Sequence, residues 1–332
     1  MKEPLLREHG GAILRAAAEF NIPPENWLDL STGINPTGWL PPPVPPATWA
    51  QLPQENDGLE EAALAYYQTP YTLPVAGSQA AIQALPYLRS NAQVAILSPT
   101  YNEHAHAWRA AGHTVTPITP LELEKNVPAF DVLIVVNPNN PTGSRVPIAQ
   151  LLLSLEELQQ KNGWLIVDEA FMDATPEESL AFRAGRPGLI VLRSLGKFFG
   201  LAGARVGFVL AEEPILRQLH ARLGPWHLSG PSRWVAKKAL QDTAWQEKNR
   251  KELPLASQRL AELLARCGYS PSGGTPLFQW VKTKEARYLW HTLAKKGILI
   301  RRFKEPISVR FGLPGDAAAW NRLETALADQ SG

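Results

Sequence analysis

A single cysteine, Cys267, is all the thiol that this chain of 332 residues contains. No internal disulfide can form and no cysteine metal cluster is possible, so the core must hold the fold. A lone thiol suits a reducing cytosol, and its expected role is that of a small, partly buried side chain. Charge of one sign is also missing: 33 basic residues face 31 acidic ones, with no run of five or more cations. A nucleic-acid-binding surface is therefore not expected. No apolar stretch approaches the ~18 residues needed to span a bilayer, so no membrane crossing is expected. Met1-Lys2-Glu3-Pro4, followed by Glu8, is unlike a secretory signal. No internal repeat of roughly 20–50 residues is visible. These absences predict a soluble, cytoplasmic protein with no metal site.

What is present is enough chain to bury most of its apolar surface, with 45% hydrophobic residues and 30 prolines. Five of residues 41–46, Pro41-Pro42-Pro43-Val44-Pro45-Pro46, are proline, a stiff extended stretch. It is expected to string an N-terminal arm across to the main body. From about residue 75 to 210, short apolar runs alternate with helical stretches. The runs are Val94–Leu97, Val132–Val136, Trp164–Val167, Leu189–Leu192 and Val206–Leu210. Residues Ile148–Gln160 carry leucines at helical spacing. Runs that are continuously apolar must be buried on both faces, which predicts a mainly parallel sheet covered by helices. After Pro231 the pattern changes to long amphipathic helices, then to strand-like segments at Gly297–Phe303 and Ile307–Phe311. The predicted organisation is α/β: an arm over 1–46 that joins a small α+β domain over 231–332, and a large domain over 47–230.

Ligands of open parallel sheets bind at the carboxyl ends of the strands, and polar residues accumulate there. Gly77-Ser78-Gln79 opens a helix. Tyr101 follows Ser98-Pro99-Thr100 after one strand, and Asn137-Pro138-Asn139-Asn140-Pro141-Thr142-Gly143 follows the next. Asp168-Glu169-Ala170-Phe171 ends a third strand and Ser194-Leu195-Gly196-Lys197 a fourth, with Arg205 eight residues on. A core needs no such set. Singly, each has a plainer reading: a solvated lysine, a helix-capping aspartate, a turn asparagine, a core tyrosine, a Gly-Ser cap.

Taken in order, these motifs resemble the fold-type I pyridoxal phosphate enzymes, the superfamily of aspartate aminotransferase, and the likeness covers nearly the whole chain. It implies their three-layer fold, pyridoxal 5'-phosphate as cofactor and a homodimer. It also implies roles. Lys197 would bond the cofactor's aldehyde through a neutral amine, and Asp168 would keep the pyridine nitrogen protonated. Asn140 would donate to the ring's 3' oxygen and Tyr101 would stack on the ring face. Gly77 and Ser78, with Ser194 and Arg205, would form the phosphate cup, and Gln79 would be a further cofactor contact. Arg310, in the alternation of Ile307-Ser308-Val309-Arg310-Phe311, would lie opposite the apolar face and bind the substrate carboxylate. Arg301 would grip a second anionic group.

Within this superfamily two neighbouring families are similar: the histidinol-phosphate aminotransferases and the threonine-phosphate decarboxylases of cobalamin synthesis. His9-Gly10-Gly11 and Leu28-Asp29-Leu30-Ser31-Thr32-Gly33-Ile34-Asn35-Pro36 look like the arm of the decarboxylases, which makes His9, Gly33 and Asn35 candidates for substrate contact. Phe171 stands where the aminotransferases usually have tyrosine, so Asn140 would act alone on the 3' oxygen. Gly224-Pro225-Trp226 and the segment from Ala239 to Trp245 favour the same side. The implied reaction is decarboxylation of O-phospho-L-threonine to 1-aminopropan-2-ol phosphate, a phosphorylated amino acid being the small-molecule partner. Transamination of histidinol phosphate or an aromatic amino acid is the first rival. A non-catalytic cofactor-binding regulator is a weaker second, because such proteins usually add a DNA-binding helical domain and the arm before the large domain is too short and proline-rich to be one. Many relatives place Tyr-Pro where this chain has Leu52-Pro53, which puts a cross-subunit contact to the cofactor in doubt.

Overall fold

In the computed structural model residues 9–328 are described. Twelve strands occur among them. In chain order they are β1 (Leu28–Leu30), β2 (Leu73–Val75), β3 (Gln93–Leu97), β4 (Thr114–Ile118), β5 (Val132–Val136) and β6 (Trp164–Asp168). Then follow β7 (Leu189–Ser194), β8 (Gly207–Ala211), β9 (Gly273–Thr275), β10 (Phe278–Lys282), β11 (Ile298–Phe303) and β12 (Ser308–Gly312). They form two sheets and the chain divides into two compact units: residues 38–251, and residues up to 37 together with 252 onward.

The larger unit holds seven strands in the order β2-β8-β7-β6-β5-β3-β4. The ladders from β7 through β6, β5 and β3 to β4 are parallel, while β8 runs antiparallel to both its neighbours. Strands β5, β6 and β8 are buried at every position, as continuous Val/Ile/Leu runs between two helical layers require. Each of the five apolar runs lies within one residue of its predicted start, and β6, β7 and β8 extend one or two residues further than predicted. The helix Ile148–Gln159 stops one residue early. Two strands of this sheet gave no apolar signal. Strand β4 is an edge strand with three exposed residues of five, and β2 contains Pro74, which an edge position tolerates.

The smaller unit is a five-stranded sheet, β1-β11-β12-β10-β9. The arm joins it covalently remote but hydrogen-bonded: Leu28, Asp29 and Leu30 pair in parallel with Ile298, Leu299 and Ile300. The two unit boundaries fall after residues 37 and 251, against the predicted 46 and 230. Residues 231–251 stay with the larger unit, where Arg233 donates to Asp57 at 2.9 and 2.8 Å and to Glu60 at 2.8 Å. A change of hydrophobic pattern marked the helices but not which sheet they serve. Cys267 is half-buried, and burial pushes its thiol pKa up. No helix is long and apolar enough to cross a membrane among the described residues.

Candidate active site

Every side chain named for cofactor contact lines one cavity in the larger unit: Gly77, Ser78, Gln79, Tyr101, Asn140, Asp168, Phe171, Ser194, Lys197 and Arg205. Val136, Ala170, Gly196 and Ala202 complete its wall. The assembly follows from the parallel ladder, which sets the carboxyl ends of β5, β6 and β7 side by side; Asp168 pairs in register with Val136 and Leu192.

Each corner has a local cause. At Asn137–Gly143, two of three asparagines close the loop on itself. Asn137 Nδ2 donates to the Val146 carbonyl at 3.1 Å and its Oδ1 accepts from Val146 N at 3.0 Å. Asn139 Nδ2 donates to the Pro99 carbonyl and to Thr142 Oγ1, both at 2.8 Å. The third, Asn140, lines the cavity. At Gly77, φ is +76° and a Cβ would lie 2.7 Å from Arg205 Nη2. The positive φ favours glycine, and the missing side chain leaves room for the Arg205 guanidinium at the start of the helix Ser78–Ala84. Gly207 is equally constrained, since its Cβ would meet Ser78 N at 2.5 Å.

Asp168 is buried and both its oxygens are engaged. Oδ1 accepts from Ala170 N at 3.1 Å, and Oδ2 lies 2.9 Å from His104 Nε2. His104 was not expected from the sequence. The signal was its place three residues after Tyr101, one helical turn on, and its ring packs edge-on against Tyr101 at 6.3 Å. Glu103 was missed too. It is buried, and its Oε2 accepts from Gln79 Nε2 at 3.1 Å, while Gln79 Oε1 accepts from Tyr101 OH at 3.3 Å. Gln79 thus links the Tyr101 hydroxyl to the Glu103 carboxylate. Half-buried Lys197 extends its Nζ to 5.4 Å from the centre of the Phe171 ring. That places the amine within cation–π range of the ring face.

The remaining candidates belong to the smaller unit. Arg310 is 4% exposed and stands opposite Arg301 in the β11–β12 ladder. Its Nη2 donates to the Ser31 carbonyl at 2.8 Å. Burial first, and the Arg301 charge second, push its pKa down to about 9, with Asp29 opposing. The predicted alternation holds only in part. Val309 and Phe311 are fully buried, but Ile307 precedes the strand and is 55% exposed. Arg310 is itself enclosed instead of lying on an open strand face. Asn35 is buried, and its Oδ1 accepts from Thr37 N and Oγ1 at 3.0 and 2.9 Å. Gly33 has φ of +63° and His9 is exposed.

The class I and II aminotransferase profile matches residues 51–327. The chain belongs to that family. Over 96% of its length it is 54% identical to the threonine-phosphate decarboxylase of Pseudomonas aeruginosa, covering 97% of that protein. The threonine-phosphate decarboxylase of a Sinorhizobium species is 43% identical over 99% of each chain. In fold, the chain is similar to the histidinol-phosphate aminotransferase of Sinorhizobium meliloti in complex with pyridoxal-5'-phosphate. The TM-score is 0.83 and the identity 17%, over 100% of this class I and II chain and 99% of the other. The L-threonine-O-3-phosphate decarboxylase of Porphyromonas gingivalis gives 0.77 at 19% identity, over 91% and 98%. These structures carry the α/β aminotransferase fold.

Proposed function

We propose that this chain is a pyridoxal 5'-phosphate enzyme that decarboxylates O-phospho-L-threonine to 1-aminopropan-2-ol phosphate, a step toward cobalamin. The cofactor reading is carried by one observation: an amine, Lys197, and a buried carboxylate, Asp168, share a cavity with an arginine held over a glycine–serine turn. That donor set fits the cofactor's aldehyde, ring nitrogen and phosphate. The substrate reading rests on identity to the two decarboxylases over almost the whole chain.

When bound, the cofactor supplies an aldehyde that condenses with amines and a protonated ring that draws electrons from the substrate's Cα. The protein does the rest. Asp168, braced by His104, would keep the ring nitrogen positive. Tyr101 would cover a ring face and Asn140 would donate to the 3' oxygen, alone, because Phe171 has no hydroxyl. Lys197 would hold the cofactor through its amine and would be the group that carries a proton to or from Cα. Arg310 would receive the carboxylate, whose bond to Cα breaks to release carbon dioxide. A proton then adds at Cα, from Lys197. Arg301 and His9 are the candidates for the substrate phosphate. We further propose a homodimer in the cytoplasm. Between residues 40 and 52 the large side chains Leu40, Trp49 and Leu52 are 87%, 70% and 59% exposed, a cost that a second copy would relieve.

The deciding experiment is product analysis of purified protein with the cofactor and O-phosphothreonine. Carbon dioxide and aminopropanol phosphate in equal amounts are expected. Glutamate formed from 2-oxoglutarate without carbon dioxide would instead make the chain an aminotransferase. Borohydride should fix the cofactor to position 197 alone, and Lys197→Ala should lower turnover by about 10⁴-fold or more, as loss of a residue that both bonds and moves protons does.

A further inference from the structure

The strand ends that present Asp168 and Lys197 to the cavity carry a second set of charged residues, none of which lines it. Successive side chains on a strand point to opposite faces. At the end of β6, Asp168 faces the cavity and Glu169 turns away; at the end of β7, Ser194 faces it and Arg193 turns away. Behind the sheet these outliers meet. Arg193 Nη1 donates to Glu169 Oε2 at 2.6 Å and to Ser179 Oγ at 3.0 Å, and Nη2 to Asp173 Oδ1 at 2.5 Å. Glu169 Oε1 accepts from Leu180 N at 2.7 Å. The side chains of Arg193, Glu169 and Asp173 are 1%, 0% and 0% exposed. Tyr66 OH donates to Asp173 at 3.1 Å and accepts from Arg250 Nη2 at 3.1 Å, so a second cation offsets the second carboxylate. Arg250 Nε also holds the Asp173 carbonyl at 3.1 Å.

A buried ionic cluster is a weak way to gain stability, since well-packed apolar side chains serve as well. It does set geometry, because a guanidinium that donates to two different carboxylates at once tolerates little displacement of either. Here it spans the strands that carry both reacting groups. Glu169 N still bonds Leu192 O at 2.9 Å, one step beyond β6, and the cluster ties the loop from 169 to 180 back under β7. We propose that Arg193 and Glu169 are positioning residues, a clamp that fixes the offset between Asp168 on β6 and Lys197 beyond β7. This rests on the cofactor reading of the cavity. A misplacement of about 1 Å at a reacting group costs on the order of 10²-fold in rate.

The test uses full-length protein loaded with pyridoxal 5'-phosphate. Glu169→Gln keeps the shape and removes the charge; Arg193→Lys keeps the charge and removes the fork. Both are expected to weaken cofactor affinity by about tenfold and to lower kcat by roughly ten- to a hundredfold, with KM nearly unchanged. The pH at which the absorbance of the lysine-bound cofactor titrates should also move. Arg193→Met combined with Glu169→Leu and Asp173→Asn removes the charges together. It should recover the thermal midpoint while leaving affinity and titration displaced. Variants that lose thermal stability yet keep wild-type affinity, titration and kcat would reduce the clamp to a structural ion cluster. If wild-type protein itself shows no lysine-bound absorbance, the cofactor reading fails, which is a different result.

Discussion

Arg193 and Arg310 are both buried arginines, 1% and 4% exposed, and they sit in opposite electrostatic conditions. Arg193 has two carboxylates within hydrogen-bond distance, and they raise its pKa against the cost of burial. Arg310 is buried across a ladder from another arginine, and its pKa is pushed down to about 9. One cation has its counter-charges built into the fold. The other is held where a bound anion would gain most from it. Burial of the same residue type therefore comes with two carboxylates in one unit and beside a like charge in the other, and the two pKa values move in opposite directions.

Removing each guanidinium tests the contrast most severely. Arg193→Met leaves Glu169 and Asp173 buried without their shared cation, so denaturant unfolding should show a loss of about 3–5 kcal/mol. Arg310→Met should leave unfolding stability unchanged or raised, because a disfavoured charge disappears. It should lower kcat/KM for O-phosphothreonine by on the order of 10²-fold, the cost of losing a buried partner for a carboxylate. Equal destabilisation by both variants would erase the distinction. A pH series sharpens it. Binding of an anion draws on protonated Arg310, so substrate affinity should weaken as pH rises through about 9, by up to about tenfold per unit. Arg301→Gln is the mildest change. It should raise KM by less than about tenfold, and moving the alkaline loss of affinity to higher pH would show that the two arginines couple.

How much was legible in the sequence follows the range of the forces involved. Strands β5 to β8 could be read because burial on both faces leaves a continuous apolar run. Strand β4 could not, because an edge strand with an exposed face carries only weak alternation. Lys197, Asp168, Asn140 and Arg205 stood out because they fall in an ordered set of motifs, and that order also carried the family. His104 and Glu103 did not. Their value lies in contacts to Asp168 and Gln79, 64 and 24 residues away along the chain. Arg193 looked like one more residue of an apolar strand, and Phe171 was noticed for the hydroxyl it lacks.

Local chemistry in the sequence was enough to determine the α/β class, the family and the residue types that gather at the strand ends. It was enough because hydrophobic periodicity and loop motifs are short-range properties. Only tertiary structure decided which unit residues 231–251 serve, that Arg310 is enclosed beside Arg301, and that Glu169 and Arg193 meet behind the sheet. Those outcomes depend on strand register and burial, which bring together groups whose separation along the chain carries no trace of their contact.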